Sequence, residues 1–340
     1  MKNSYCFHNV TYLATLDPVN EINFSVLNPE KSVIPECLYK YYKVSNCAYK
    51  HSVDAFLQHY LFASHPSNLN DKYDCSTDLI DYSKLSVDNF VEKLSKQLTI
   101  IPEEKVRQLF NSNKRILINT LSELYQMVMF MKLGIISFTE NPDDILMWAY
   151  YSENSGFVLK FKTELLPKDS FYGPFPINYA ETFVKIDCTE YDNSVCILYH
   201  SNVKNVMWKP ENEWRYLKYN RNGNYHPIYA HSPENIETRK CVYDPKALDE
   251  VILGYDFFSI NEIDFNERTT EYDIINISDG STPNNWKIKF LDQIVKNALQ
   301  CSQIVRNREK IKLGIREIKI EKISDFRYKV INPFKNLEIL

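Results

Sequence analysis

Two carboxylates and an arginine stand at alternate positions within residues 209–215, whose sequence is KPENEWR. Side chains on an extended strand alternate between its two faces, so this spacing predicts that Glu211, Glu213 and Arg215 share one face. Like charges this close together need neutralisation, either in a structural ion network or by a cationic ligand or a transferable proton. Lys204, a few residues upstream, adds another cation. The pattern predicts either a buried ion network or an active site in which one glutamate is a catalytic or ligand-orienting carboxylate.

A pair of hydroxyl side chains forms a second candidate. Ser137 and Thr139 lie two positions apart in a predicted strand, so both hydroxyls face the same way and are available to a ligand or to a neighbouring side chain. Asp144 follows near a predicted helix N-terminus, where capping and the helix dipole explain a carboxylate. Trp148, one turn later, is expected in the core, and a stacking platform is the alternative.

Tyrosines alternate with lysines in residues 39–43. Strand periodicity places Tyr39 and Tyr41 on one face and Lys40 and Tyr42 on the other. An ordinary amphipathic strand explains the pattern, and a stacking site for a base or for nicotinamide would have the same pattern. The sequence alone leaves both interpretations open.

Asn70, Asp71 and Asp74 follow the end of a predicted strand, where loops held by a rigid scaffold often carry functional residues. An Asx turn, in which Asn70 and Asp71 bind their own backbone, is the favoured interpretation. A metal site built from Asp71, Asp74 and His65 has no recognised ligand spacing in its favour.

Composition excludes several classes of function. The 340 residues include only 7 glycines, and neither a P-loop nor a dinucleotide-binding glycine motif occurs. The net charge of −4 provides no basic field for nucleic acid or an anionic membrane. The 8 cysteines contain no C-x-x-C pair, and the 7 histidines contain no H-E-x-x-H motif. No long apolar segment occurs, so we expect a soluble cytoplasmic protein with reduced thiols.

Unequal helical segments between short strands predict an α+β fold with a mixed or antiparallel split sheet and a helical insertion. Strands are expected at 38–42, 61–64, 134–139, 156–161, 183–187, 195–199, 213–219, 250–254 and as a pair within 312–330; helices are expected to begin at 86, to run from 103 to a stop at Gly134, and to span 143–151 and 286–306. The proposed organisation is an N-terminal lead-in (1–36), a main α+β domain (37–256) with its helical insertion at about 86–133, and a C-terminal helix and strand extension (257–340).

Five motifs resemble, in the same chain order, a bacterial family catalogued as domain of unknown function 2971. The resemblance covers about residues 37–256, and Lys72 stands where the family usually has proline. The motifs are Tyr39-Lys40-Tyr41, Asn70-Asp71-Lys72-Tyr73-Asp74, Ser137-Phe138-Thr139-Glu140 with Asp144 and Trp148, Gly156-Phe157, and Glu211-Asn212-Glu213-Trp214-Arg215.

The same order of motifs is similar to the three-part layout of ADP-ribosyltransferases, in which NAD lies across two short sheets. That resemblance implies that Lys40 takes the place of the basic or histidine residue that holds NAD, where those enzymes usually have arginine or histidine. Ser137 and Thr139 would position the nicotinamide ribose, Glu213 would be the catalytic glutamate, and Glu211 would orient or deprotonate an acceptor.

The candidate residues fall into three groups under this interpretation, with NAD as the substrate and a protein or nucleic acid as the unidentified acceptor. They are Glu213 and Glu211 as catalytic residues; Lys40, Tyr41, Ser137, Thr139 and Trp148 as cofactor-binding residues; and Asn70, Asp71, Asp74 and Arg215 as accessory residues.

Two other classes of function remain open from the sequence. One is a noncatalytic binding or interaction module of a bacterial defence or toxin system, in which Glu211, Glu213 and Arg215 form a buried network with no cleft beside it. The other is a metal-dependent nuclease that uses Asp71, Asp74 and the glutamates. Convergence of Lys40, Ser137 and Glu213 on an open cleft would favour the NAD interpretation.

Overall fold

The computed structural model describes residues 2, 4–7, 10–16, 22–27, 34–44, 48–167, 172–219, 237–277, 285–307 and 312–331. The strands there are β1 (Ser4–Phe7), β2 (Val10–Leu16), β3 (Ile22–Leu27), β4 (Cys37–Tyr42), β5 (Tyr60–Phe62), β6 (Ile80–Asp81), β7 (Leu133–Thr139), β8 (Phe157–Lys162), β9 (Tyr172–Pro176), β10 (Asn178–Ala180), β11 (Ile186–Asp187), β12 (Val203–Asn205), β13 (Glu213–Tyr219), β14 (Lys240–Val242), β15 (Leu248–Leu253), β16 (Tyr272–Asn276), β17 (Gln300–Asn307), β18 (Lys312–Ser324) and β19 (Arg327–Ile331). The α-helices are α1 (Ala48–Leu57), α2 (Val87–Phe90), α3 (Glu103–Lys132), α4 (Ile145–Ser152), α5 (Asn193–Ser201) and α6 (Asn285–Lys296). The predicted α+β class is confirmed.

The long helix α3 largely follows its sequence pattern. Pro102 occupies its N-cap position, and Val106, Leu117 and Leu121 form its buried stripe. The predicted end of the helix at Gly134 is met to within two residues, because the helix ends at Lys132 and Gly134 lies in β7, which was predicted as the strand 134–139. A Cβ at Gly134 would lie 2.7 Å from the Cβ of Ala63, so this glycine permits close packing.

Two predicted elements differ in type from the structure, and the strand predicted at 183–187 is reduced to β11 (Ile186–Asp187). Residues 195–199 belong to helix α5 rather than to a strand; Asp192 caps this helix, and Val195, Leu198 and Tyr199 are buried. Their β-branched and aromatic side chains are typical of strands, but their spacing suits one buried helical face. The predicted helix 286–306 contains two elements, since α6 ends at Lys296 and β17 follows.

One mixed sheet dominates the described residues, with its ten strands in the order β16-β19-β18-β17-β15-β8-β4-β7-β13-β9. Its pairings are antiparallel except for the parallel pair β15–β17. The strands of residues 257–331 therefore extend the same sheet as the main domain. Separate small sheets are formed by β1-β2-β3, β10-β12, β11-β6 and β14-β5.

The sheet is split between β4 and β7. Strand β4 pairs with β8 over its whole length, but it pairs with β7 only at Tyr39 and Thr139. Beyond this point Ser64, not β4, bridges β7 at Ile135. A gap therefore opens between two strands that are neighbours at one end, while α2 and α3 form the helical insertion before β7.

Apolar side chains bury both faces of the sheet. Phe138 and Trp214 face a core that includes Phe56 of α1 and Phe290 of α6. On the opposite face, Ile135 and its neighbours pack with residues of α3, α5 and the N-terminal strands, such as Leu121, Leu198 and Tyr12. Within the described residues, no helix combines the length and the apolar character needed to cross a membrane.

Candidate functional site

The neighbouring strands β4, β7 and β13 place the sequence motifs at paired positions of the sheet. Thr139 of β7 lies opposite Tyr39 of β4 on one side and opposite Glu213 of β13 on the other. Ser137 lies opposite Arg215 in the same register. Paired residues point to the same face of a sheet, so Tyr39, Thr139 and Glu213 lie in one row.

The expectation that Glu211 shares this strand face is wrong. Glu211 ends a 3-10 helix that begins at Val206, Asn212 has a left-handed backbone with φ of 44°, and β13 begins at Glu213. Pro210 cannot donate a ladder hydrogen bond, and asparagine tolerates the left-handed conformation better than most residues. Glu211 therefore approaches the site from a turn, although it stays beside Glu213.

Arg215 is the centre of a buried ion network. It donates to the two carboxylate oxygens of Asp74 at 2.8 and 2.9 Å, and to both oxygens of Glu213 at 2.8–3.0 Å. Another donation at 2.6 Å reaches the carbonyl oxygen of Ser201. The arginine is 1% exposed, Asp74 is 4% exposed and Glu213 is 5% exposed. Fork geometry and burial make these charge-assisted bonds strong and hold Glu213 in one orientation.

Lys204 extends the network to Glu211. Its ammonium group donates to Glu211 Oε2, and to Glu213 Oε2 at 3.2 Å. The other oxygen of Glu211 accepts the hydroxyl of Tyr151 from α4. The backbone N–H of Glu213 donates to the hydroxyl of Tyr179 at 2.8 Å. Both glutamates are thus fixed by side chains and backbone together.

The charges in this network make the two glutamates unequal. Burial opposes ionisation of Glu213, but Arg215, Lys204 and a hydrogen bond from Ser137 outweigh it and lower its pKa to about 2. Burial, reinforced by the neighbouring Glu213, raises the pKa of Glu211 against the opposing effect of Lys204. Glu213 is therefore a fixed anion, and Glu211 is the group closer to exchanging a proton.

Lys40 reaches into the gap between β4 and β7. Its ammonium group donates to the carbonyl oxygen of Ser137 at 3.0 Å and lies 5.6 Å from the ring centroid of Phe138. Burial lowers the pKa of Lys40 to about 8, against the opposing effect of Glu213. The lysine is thus a half-buried cation whose charge changes near pH 8.

A pocket of about 450 Å³ opens at this gap and is lined by the two catalytic candidates together with the three strands. Its wall combines a tyrosine-rich side with the charged network. The lining residues include Tyr39, Lys40, Tyr41, Tyr42, Asn70, Asp74, Ser137, Thr139, Tyr150, Tyr151, Lys204, Glu211, Glu213 and Arg215.

Two of the predicted site residues lie outside this wall. Trp148 is fully buried; its indole N–H donates to the carbonyl oxygen of Pro142 at 2.7 Å, and its ring packs edge-on against Tyr41. Trp148 therefore supports the pocket from the core, as its core interpretation predicts. Asp71 accepts the backbone N–H of Tyr73 at 2.9 Å, which is the Asx turn that the sequence favours.

Tyr151 and Tyr179 contact the glutamates but were not predicted from the sequence. Tyr151 contacts Glu211 directly, and Tyr179 holds the backbone of Glu213. Neither lies in a recognisable motif. The only signal for Tyr151 is its position three residues after Trp148 in a predicted helix.

Thr139 also fixes the turn that carries Glu211. Its hydroxyl donates to the carbonyl oxygen of Glu211 at 2.6 Å and accepts the backbone N–H of Asn141 at 2.9 Å. The hydroxyl therefore connects β7 to the turn before β13, and its role in this structure is to position backbone.

No group of three or more histidine, cysteine, aspartate or glutamate side chains in the described ranges is arranged to hold a metal ion. The carboxylates of Asp74 and Glu213 are engaged by Arg215, while Asp71 faces its own turn. This geometry gives no support to the metal-dependent nuclease interpretation.

Comparison of the chain with protein families, with curated proteins and with solved structures found no match. The similarity to the family of unknown function and to the ADP-ribosyltransferase layout therefore remains a prediction from the motifs.

Proposed function

We propose that the pocket binds NAD and that the chain is an ADP-ribosyltransferase-like enzyme of a bacterial defence or toxin system. The observation that supports this proposal is the convergence of Lys40, Ser137, Thr139 and Glu213, from three neighbouring strands, on one pocket. A structural ion network alone does not require a cleft beside it. The split between β4 and β7 supplies that cleft.

Each group has a role in the proposed reaction. The bond between nicotinamide and the ribose breaks, nicotinamide leaves with the bonding electrons, and the ribose gains positive charge. Glu213, which stays ionised, stabilises that charge electrostatically. A nucleophilic acceptor forms the new bond to the ribose carbon, and its proton passes to Glu211.

The binding of NAD would use the rest of the wall. Lys40 is the cation available to the pyrophosphate, and tyrosines such as Tyr39 and Tyr150 offer aromatic faces to a base or to nicotinamide. The hydroxyl of Ser137 already contacts Glu213. A ribose hydroxyl bound there would lie next to the carboxylate that stabilises the transition state.

A noncatalytic binding module is the second candidate function, and the engagement of both Glu213 oxygens by Arg215 favours it. In that case the carboxylate contributes only to stability. Unlike the module expected from the sequence, this module would have a pocket beside the network, and ligand binding there would occur without cleavage of the ligand.

Release of labelled nicotinamide from NAD tests the proposal, because this readout does not require the acceptor to be known. We expect the wild-type chain to release nicotinamide and Glu213→Gln to lose the activity while still binding NAD. Glu164→Gln, which changes an exposed glutamate, is the matched control. Thermal unfolding of each variant checks folding.

A second label on the adenylate half of NAD follows transfer to macromolecules in a bacterial lysate. Wild-type protein that binds NAD but neither releases nicotinamide nor labels any macromolecule would leave only the binding module. Wild-type protein that does not bind NAD at all overturns the proposal.

A further inference from the structure

A second cavity of about 380 Å³ lies between α3, α5 and the short strand β6. Its wall is mainly apolar, with Ile80, Val128 and Ile197 among the lining residues. None of its lining residues belongs to the first pocket. We propose that this cavity binds a small organic carboxylate with an apolar body, recognised by Lys93 and His200.

Lys93 supplies the cation of this cavity. Its ammonium group donates to the hydroxyl of Tyr125 at 2.8 Å and lies 5.2 Å from the centroid of that ring. Across the described ranges, no carboxylate forms an ion pair with it. A lysine beside a largely apolar cavity, with donors left over, favours an anionic ligand.

The other polar groups of the cavity do not neutralise Lys93. Burial raises the pKa of Cys188 to about 11 and that of Cys196 to about 12, so both thiols keep their protons at neutral pH. Asp192 also lines the cavity, but its carboxylate caps α5 and accepts the N–H and the hydroxyl of Ser194 at 2.9 and 2.6 Å. No thiolate or free carboxylate of the cavity wall therefore pairs with Lys93.

His200 is the second observation that indicates a ligand. It lines the cavity and is 2% exposed; neither ring nitrogen forms a hydrogen bond of good geometry, although the backbone of Cys75 lies near enough to raise its pKa slightly. Burial lowers the pKa of His200 to about 4, so the ring is neutral near pH 7 and keeps one N–H. A buried ring N–H without a well-formed hydrogen bond costs free energy, which a carboxylate or ether oxygen of a ligand would recover.

The size and character of the wall define the ligand further. The aromatic rings of Tyr82 and Tyr125 and the aliphatic side chains of α3 and α5 surround the space between the polar groups. An apolar body of one or two rings fits a cavity of this volume and gains from leaving water. The expected ligand therefore has one charged end and no charge on its body.

Calorimetric titration of the full chain with 1-naphthoate tests the proposal, and the neutral alcohol 1-naphthalenemethanol is the control ligand. We expect naphthoate to bind about tenfold tighter than the alcohol, as a charge-assisted hydrogen bond implies. Lys93→Met should remove this preference without changing the binding of the alcohol. His200→Phe keeps a ring in place and should weaken naphthoate several-fold.

Two further variants locate the binding. Ile197→Trp fills the cavity and should abolish binding of both compounds, while Lys96→Met removes an exposed lysine three residues after Lys93 and should change nothing. Circular dichroism confirms that each variant folds. Equal affinity for the acid and the alcohol, unchanged naphthoate binding in Lys93→Met or Ile197→Trp, or no binding to the wild-type chain would overturn the proposal.

Discussion

Arg215 and Asp74 lie 141 positions apart in the chain and form a two-point ion pair, with nitrogen–oxygen distances of 2.8 and 2.9 Å. The pair attaches the loop after β5 to strand β13 below the surface. Because the same guanidinium also holds Glu213, the loop position and the orientation of the candidate catalytic carboxylate depend on one side chain.

Replacement of Arg215 by methionine should destabilise the fold strongly. The variant leaves Asp74 and Glu213 buried without their main counter-charge, and loss of one partner of a buried pair costs about 3–5 kcal/mol. Urea unfolding at pH 7 measures the free-energy difference. Arg107→Met, which breaks an exposed pair with Glu103, should leave the unfolding midpoint unchanged. A similar midpoint for both variants would contradict the assigned role of Arg215.

Acid should weaken the fold already below pH 6.5 through His200. Its folded-state pKa of about 4 lies below the usual 6.5, so the unfolded chain takes up the proton first as the pH falls. The stability that this difference provides is complete above pH 6.5 and is lost towards pH 4, amounting to about 3 kcal/mol. Urea midpoints measured across this range should fall less steeply in His200→Leu, and the exposed His51→Leu should behave as wild type.

Affinity for NAD should fall as the pH rises through about 8. The pKa of Lys40 lies near 8 because of burial, and only the protonated lysine attracts the pyrophosphate. Titration calorimetry from pH 6.5 to 9.5 measures the change. Lys40→Met should bind NAD weakly at every pH, without the slope that Lys40 causes. Equal affinity of the wild-type chain for NAD at pH 7 and at pH 9.5 would show that Lys40 does not bind the pyrophosphate.

Tyr151→Phe should move the acidic limb of the proposed activity to higher pH. The Tyr151 hydroxyl helps to lower the pKa of Glu211, which burial raises. Without it a larger fraction of Glu211 is protonated and cannot accept the acceptor's proton. The pH profile of nicotinamide release measures the shift. Tyr150→Phe changes the adjacent, 70% exposed tyrosine, and an equal shift there would indicate a general effect on the pocket.

Local pattern was sufficient to predict most of the elements that carry the site. The alternation in β4, β7 and β8 and the apolar spacing of α3 appear in the sequence as they do in the fold. The pairing of Glu213 with Arg215 on one strand face also follows from a period of two. These features depend only on residues that are close to one another in the sequence.

Contacts between residues that are far apart in the chain could not be predicted from the sequence. Nothing in the motif around Asp74 specifies Arg215 as its partner, and nothing near Tyr151 specifies Glu211. The error at Glu211 arose from a turn, since the left-handed Asn212 interrupts the alternation that the carboxylates suggest. The wrong prediction of a strand at residues 195–199 has a different cause. Their strand propensity is outweighed by the free energy gained when one face of helix α5 is buried.

The anchor of Lys40 is a main-chain carbonyl, at Ser137, rather than a side chain. Every amino acid supplies that oxygen, so an alignment of diverged relatives could lack the serine and still preserve the lysine's placement. What such relatives must share instead is the spacing that keeps β4 and β7 joined at a single residue pair. An insertion or deletion next to Tyr39 or next to Thr139 would shift this pairing. We therefore expect it to damage the site more than most substitutions in the chain between Tyr39 and Thr139 would.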